Sequence, residues 1–196
     1  YATFEFFDDF ENGESVYSAT RTVGTSLGFK AACPRIVVAD DGTWLMIYRA
    51  RSDGSPPSGH EGQVWLRKST DNGETWSSGI KLSNDTYDAI NAEFVKYPNG
   101  DIEIFYTRYD SSTNTFYTPN MVSRSTDNGE TWSEFAPAVP PLDDPVRVMW
   151  QEIIVGSDVY LATYGAPALF KSSDNGSSWT FISNITEGVE GTWHEP

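Results

Sequence analysis

An eight-residue phrase occurs three times in this chain, and this repetition constrains the possible folds more than any other feature. Residues 69–76 read Ser-Thr-Asp-Asn-Gly-Glu-Thr-Trp, residues 125–132 repeat them unchanged, and residues 172–179 give the looser form Ser-Ser-Asp-Asn-Gly-Ser-Ser-Trp. Starts that lie 56 and 47 residues apart indicate a repeat architecture. Each copy predicts a hairpin turn, because Asn and Gly tolerate positive φ, Ser and Asp can bond the turn's backbone, and Trp can cover it.

The residues around each phrase also repeat, as a pattern of short apolar strands. A first strand, an Asp-Gly or Asn-Gly turn and a second strand occupy residues 34–48 and 92–106, and residues 151–164 follow the same plan with one residue fewer. In this register the second strands end at Tyr48, Tyr106 and Tyr164. A third strand then runs into the phrase, and a fourth follows its Trp. Four antiparallel strands per unit predict the blades of an all-β propeller.

Charge and composition exclude several classes of partner. The net charge is −15, from 28 acidic and 13 basic residues, whereas nucleic acids and anionic membrane surfaces require a basic footprint. No segment approaches the roughly 18 apolar residues of a membrane span. Cys33 is the single cysteine, and with the two histidines it forms no zinc pattern. The repeated phrase also lacks the distal glutamate of a calcium loop. We therefore expect no metal, no cofactor, no nucleic-acid partner and no membrane association.

Charged residues stand at the start of the first strand in successive units. The register assigns equivalent positions to Arg35, Glu93, Glu152 and Glu195. In a propeller the first strands line the central channel, so these side chains are predicted to converge at one mouth of it. Trp150 and Trp193 precede two of the glutamates by two residues, on the same side of a strand. A Trp beside a carboxylate suits a sugar, with Glu93, Glu152 and Glu195 as candidate catalytic acids, bases or nucleophiles. Solvated strand ends and Trp packing between blades remain the alternatives.

The phrase Ser-x-Asp-x-Gly-x-Thr-Trp resembles the Asp box of the sialidase-like β-propellers, the BNR-repeat superfamily. The resemblance implies a six-bladed ring in which each box is a structural turn on the outside of a blade. It divides this chain into N-terminal strands (1–30), blade one (31–88), blade two (89–146), blade three (147–190) and the start of blade four (191–196). Such a partial ring is expected to be a fragment or to be completed by another chain. The resemblance also implies an extracellular or secreted protein.

The resemblance extends to candidate site residues. Arg35-Ile36 corresponds to the family's Arg-Ile-Pro motif with Val37 in place of Pro, and Glu195-Pro196 corresponds to its Glu-Pro opening, whose Glu assists a tyrosine nucleophile. The segment from Arg49 to Asp53 lies near the region of the sialidase acid aspartate, and His60 belongs to the same loop. The resemblance thus implies Asp53 as a catalytic candidate. The candidate substrate-binding residues are Arg35, Arg51, His60, Arg108, Trp150 and Trp193.

Two function classes remain open after these observations. No arginine follows Arg147, although sialidases bind the sugar carboxylate with three arginines, and related propellers such as exo-arabinanases cleave neutral sugars with two carboxylates. The sequence therefore predicts an exo-acting glycoside hydrolase related to sialidases, acting on sialic acid or on a neutral sugar. The alternative is a non-catalytic Asp-box propeller that binds carbohydrate or protein. Two channel carboxylates at hydrolase separation favour the enzyme, whereas carboxylates that are splayed or neutralised by Arg35 favour the binding module.

Overall fold

The computed structural model describes residues 32–51, 62–110, 112–139, 147–148, 152–164 and 168–184. Thirteen β-strands and no helix occur within these ranges. The strands are β1 Ala32–Val38, β2 Trp44–Arg51, β3 Gly62–Ser69, β4 Ile80–Lys81, β5 Asp88–Lys96, β6 Ile102–Asp110, β7 Thr115–Ser125, β8 Ala136–Pro137, β9 Arg147–Val148, β10 Ile153–Val155, β11 Asp158–Tyr164, β12 Ala168–Ser172 and β13 Thr180–Asn184. The predicted N-terminal strands and the start of the fourth blade lie outside the described residues.

The strands form three antiparallel sheets that follow one another along the chain. The first sheet has the order β1-β2-β3-β4, the second β5-β6-β7-β8 and the third β10-β11-β12-β13, while β9 pairs with the far end of β11. Sequential antiparallel pairing of four strands is the arrangement of a propeller blade. The prediction of an all-β chain built from four-stranded units is thereby confirmed. No helix in the described ranges is long and apolar enough to span a membrane.

The first hairpin of each sheet fixes its register, and the third sheet differs from the other two. Gly42 and Gly100 take positive φ values of 86° and 90° in matching turns, whereas β10 and β11 join through only two residues, 156 and 157. Counted from the box serines, which pair with Trp44, Ile102 and Val159, the residue equivalent to Tyr48 and Tyr106 is Thr163. The predicted equivalence of Tyr164 is therefore wrong by one residue.

Apolar side chains between the sheets hold them face to face. One core joins the first and second sheets through residues that include Leu45, Ile47, Phe94 and Ile104. A second core joins the second and third sheets through residues that include Val95, Phe105, Leu161 and Phe170. Because the residues on one face alternate with those on the other, each central strand can contribute to both neighbouring cores. The first strands β1 and β5 also contact each other directly.

The three box turns use their polar groups to hold their own backbone. In the first, the Ser69 hydroxyl accepts from the Gly73 amide at 2.9 Å and donates to Asp71 at 2.7 Å. Asp71 also accepts from the amide and hydroxyl of Thr75 at 2.8 and 2.6 Å. The bonds from Thr75 and then Ser69 lower the pKa of Asp71 to about 2. The other two turns repeat this network, with Asn and Gly at positive φ as predicted.

Candidate functional site

The first strand of every sheet is irregular at the same level. The pairing register shifts between Ala32 and Arg35 in β1 and between Ile90 and Glu93 in β5. In the third sheet the corresponding strand is divided into β9 and β10. A β-bulge bends its strand and re-aims the next side chain, and bulges are enriched beside functional sites. A β-bulge therefore directly precedes both Arg35 and Glu93.

Arg35 and Glu93 form a direct contact between the first and second sheets. Arg35 Nε donates to Glu93 Oε1 at 2.5 Å, and Arg35 Nη1 donates to the Pro34 carbonyl at 3.1 Å. The Glu93 side chain is 4% exposed, whereas that of Arg35 is 37% exposed. Two of the four residues that were predicted to converge are therefore in direct contact. A guanidinium beside a buried carboxylate favours the ionised form of that carboxylate.

Glu152 lies between β9 and β10, where the pairing with β11 shifts by two residues. Its side chain accepts a hydrogen bond from the Lys96 backbone amide of β5 at 3.0 Å. Its equivalence with Arg35 and Glu93 stays a prediction.

Lys96 links all three sheets at the other end of the first strands. Its ammonium group donates to the Val38 carbonyl at 2.9 Å and pairs with Asp40 at 2.6 Å, both in the first sheet. Its backbone amide donates to Glu152 Oε1, next to the third sheet. Lys96 was not among the sequence candidates. Its position three residues after Glu93, at the strand end, was the available signal.

The remaining candidates separate into described and undescribed residues. Arg51 pairs with Gly62 across β2 and β3, and its carbonyl accepts the Trp65 indole at 3.1 Å. Arg108 donates to the Thr118 carbonyl at 2.8 Å and lies 5.8 Å from the ring centre of Tyr87. Arg108 therefore contacts β7 and the residue that precedes β5, both belonging to the second blade. Candidates outside the described residues are Asp53, His60, Trp150, Trp193 and Glu195.

A second ion pair between the first two sheets was not anticipated from the sequence. Arg49 Nε donates to Asp88 Oδ1 at 2.7 Å, and a second bond joins Arg49 Nη2 to Asp88 Oδ2. The Gly62 amide also donates to Asp88 at 3.0 Å. The Asp88 side chain is 1% exposed, so this carboxylate requires the three donors. Within the described ranges, no group of His, Cys, Asp and Glu could hold a metal ion.

Solved structures resemble this chain, although no protein-family model and no curated protein sequence matches it. The Hadza microbial sialidase Hz136 gives a TM-score of 0.61 at 18% identity, covering 87% of this chain and 42% of that one. The intramolecular trans-sialidase from Ruminococcus gnavus gives 0.58 at 12% identity, over 84% and 63%. The α-L-arabinanase of Penicillium chrysogenum gives 0.55 at 14% identity, over 76% and 44%.

These similarities establish the fold. The chain has the fold of the sialidase-like β-propellers, as the repeated phrase predicted, and it contains part of the ring. It spans between 42% and 63% of the length of these three structures. Because the sequence identities are below 20%, no residue role is transferred from these structures to this chain. These three structures are a sialidase, a trans-sialidase and an arabinanase, which differ in specificity.

Proposed function

We propose that this protein is a glycan-acting propeller and that its complete site is that of an exo-acting glycoside hydrolase. The observation that carries the proposal is the Arg35–Glu93 ion pair between adjacent sheets. A β-bulge in the first strand of each sheet places the two side chains at the same level. Glycosidase activity among structures of the same fold supports it. A sialoside and a neutral arabinoside are both candidate substrates, because the neighbours include enzymes for each.

In this proposal Glu93 acts as the ionised carboxylate of the hydrolase. Glycoside hydrolysis pairs a carboxylate that attacks or activates water with a carboxylic acid that protonates the leaving oxygen. The contact with Arg35 suits the first role, because a neighbouring cation stabilises a negatively charged carboxylate. The acid then comes from Asp53 or Glu195, the sequence candidates. Glu152 instead accepts a hydrogen bond from the Lys96 backbone amide.

Hydrolysis of aryl glycosides tests this division of roles. We expect Glu93→Gln to lower turnover by a factor of about 100 or more, the range that a catalytic carboxylate supplies, while substrate binding is largely retained. Glu152→Gln should keep most of the activity, because an amide oxygen can still accept from Lys96. Glu130→Gln, at a side chain that is 69% exposed on the second box turn, is the matched control. A Glu93→Gln variant with unchanged turnover and an unchanged melting curve contradicts the proposal.

One observation favours the second candidate, a non-catalytic carbohydrate-binding propeller. Arg35 pairs with Glu93, and Glu152 accepts a hydrogen bond from the Lys96 amide, so each of these two carboxylates is already bound within the protein. This candidate predicts that the wild-type protein hydrolyses none of a panel of sialosides and arabinosides yet binds oligosaccharides in calorimetry. Arg35→Ala should then weaken binding. Hydrolysis that disappears in Glu93→Gln excludes this second candidate.

A further inference from the structure

Five non-glycine residues in the described part of the chain take a positive φ, and all five are asparagines. Four of them lie in turns, at positions 72, 114, 128 and 175. Asn91, with a φ of 51°, lies inside β5. It belongs to the bulge that separates Ile90 from Glu93. A positive φ is uncommon for a residue with a side chain and costs free energy, so within a strand it marks a candidate functional position.

The backbone conformation of Asn91 does not by itself require an asparagine. Glycine adopts a positive φ without a steric cost, whereas asparagine does so at some cost. The chain uses glycine for this purpose at Gly42 and Gly100, in the first hairpins of the first and second sheets. At Asn91 the same kind of backbone carries an amide side chain, which offers an NH2 donor and a carbonyl acceptor. This combination indicates a role for the amide group.

Asn91 lies on the first strand of the second sheet, where its amide has no partner in the described part of the chain. β5 pairs with β6 on one edge, and no described strand is hydrogen-bonded to its other edge. Asn91 is half-buried, and no hydrogen bond joins its side chain to another described residue. The next residue, Ala92, is 5% exposed and packs in the core between the first and second sheets. The backbone is therefore held by its neighbours, whereas the Asn91 amide remains available for a ligand.

The Arg35–Glu93 pair supplies the charged groups next to Asn91. Glu93 follows Asn91 by two residues and accepts from Arg35 Nε. The side chain of Arg35 is 37% exposed, so its guanidinium is partly open to solvent. A carboxylate, a guanidinium and a neutral amide thus lie close together on two adjacent first strands. A neutral amide suits a hydroxyl group, because each of the two groups can both donate and accept a hydrogen bond.

We propose that Asn91 is a substrate-binding residue whose amide hydrogen-bonds a sugar hydroxyl group next to the Glu93 carboxylate. The inference rests on the proposed function, because it names a further residue of the same site and the ligand group that this residue recognises. A polar site built around a hydroxyl group discriminates against an analogue that lacks it, because the protein group is then left unpaired. Asn91 therefore determines specificity for a sugar that carries a hydroxyl group at one particular ring position.

Hydrolysis of two chromogenic probes, a 4-nitrophenyl arabinofuranoside and a 4-nitrophenyl sialoside, tests this role. Asn91→Gly removes the amide and keeps a backbone that tolerates a positive φ. It is expected to lower kcat/KM for the cleaved probe by about three- to tenfold, the effect of one lost hydrogen bond, mainly by raising KM. Asn72→Gly is the matched control, because it makes the same replacement at a φ of 56° on the exposed first box turn, and it should leave kcat/KM unchanged.

Monodeoxy forms of the cleaved probe identify the hydroxyl group that Asn91 binds. At one ring position, loss of the hydroxyl group should lower kcat/KM of the wild type by about three- to tenfold and that of Asn91→Gly much less, because the variant has already lost the hydrogen bond. At the other ring positions the two proteins should lose equally. A residue that only shapes the backbone would not produce this difference.

The outcomes separate this inference from the proposed function. An unchanged kcat/KM in Asn91→Gly, or equal losses from every deoxy probe in both proteins, overturns the role of Asn91 and leaves the proposed function intact. Hydrolysis of neither probe by the wild type overturns both. Where melting curves show that Asn91→Gly does not fold, Asn91→Asp replaces it, because aspartate also tolerates this φ. Asn91→Asp loses the NH2 donor and should raise KM; an unchanged KM in this variant overturns the inference.

Discussion

Replacement of Gly129 by alanine tests whether the box turns hold neighbouring blades together. Gly129 has a φ of 82°, and its added Cβ would lie 2.5 and 2.8 Å from the two methyl carbons of Leu45. The left-handed backbone costs a residue with a side chain about 1–2 kcal/mol. Leu45 is fully buried, so the overlap adds the cost of overpacking, about 1–3 kcal/mol. The expected loss of stability is therefore about 2–5 kcal/mol.

Gly42 supplies a control in the same chain. It has a φ of 86°, but a Cβ there would meet no atom within 4 Å, so Gly42→Ala should cost only the backbone term of about 1–2 kcal/mol. The difference between the two variants isolates contact with the neighbouring blade. For a chain of this size, each kcal/mol lowers the melting temperature by roughly 2–4 °C. Denaturant unfolding followed by tryptophan fluorescence gives the same difference as a free energy.

A double variant separates overlap from other causes. Leu45→Ala alone should cost about 2–5 kcal/mol as a buried cavity. Combined with Gly129→Ala it should cost less than the sum of the single changes, because the added methyl group enters the space that Leu45 vacates. Equal losses for Gly129→Ala and Gly42→Ala, or exact additivity with Leu45→Ala, would refute the contact between the second box and the first sheet.

Three further predictions concern charged groups. Burial is the largest effect at Glu103 and raises its pKa above 4.5; the folded state therefore binds this proton more tightly than the unfolded state, and stability relative to Glu103→Gln should fall as pH rises above 4.5 in denaturant titrations. Bonds from Thr131 and then Ser125 lower the pKa of Asp127 to about 2, so wild-type stability should fall between pH 3.8 and 2; Asp127→Asn should lose less over that interval in acid melts, with Asp71 and Asp174, whose pKa values are also lowered, accounting for part of the remaining loss. Arg35→Ala should cost about 1–3 kcal/mol by removing a charged donor from buried Glu93, and Arg35→Ala with Glu93→Gln should cost less than Arg35→Ala alone; the reverse order of stabilities would contradict a net attraction between the two.

The box turns could be predicted from sequence because their determinants are local. Asn72 and Gly73 adopt φ values of 56° and 81°, as the Asn-Gly signal indicates. Ser69, Asp71 and Thr75 bond one another across four residues. All the information needed for such a turn lies within one phrase. Strand order followed from the same phrases, because consecutive antiparallel strands pair with their neighbours in the chain.

The register of the third sheet could not be predicted in the same way. An apolar run such as Ile153-Ile154-Val155 offers no alternation between polar and apolar residues, so sequence does not distinguish its two faces. The matching of Tyr164 with Tyr48 rested on residue identity. Pairing to the box serine selects Thr163 instead.

Contacts between blades were also beyond the sequence, because their partners are distant in the chain. Arg49 and Asp88 are separated by 39 residues and Arg124 and Asn175 by 51. Neither pair belongs to the repeated phrase. A charged residue at the end of a strand is equally compatible with a solvated side chain and with an ion pair. The placement of the neighbouring sheet decides between them.

The contacts between each box turn and the preceding sheet show which part of the repeat the fold requires. Leu45 and Glu103 are equivalent, yet one is apolar and the other is a carboxylate that accepts from Tyr97 at 2.5 Å and lies 2.8 Å from the Arg124 guanidinium. Burying Glu103 is costly without these two donors. The contact between the second sheet and the third box turn therefore needs a hydrogen-bond network, whereas the contact between the first sheet and the second box turn needs one leucine. The cation beside this position is present in all three sheets, as Lys68, Arg124 and Lys171. The alkyl part of a Lys or Arg side chain can pack on the sheet while its charged end reaches the next box turn. The same cation is therefore compatible with an apolar contact and with a polar contact between blades.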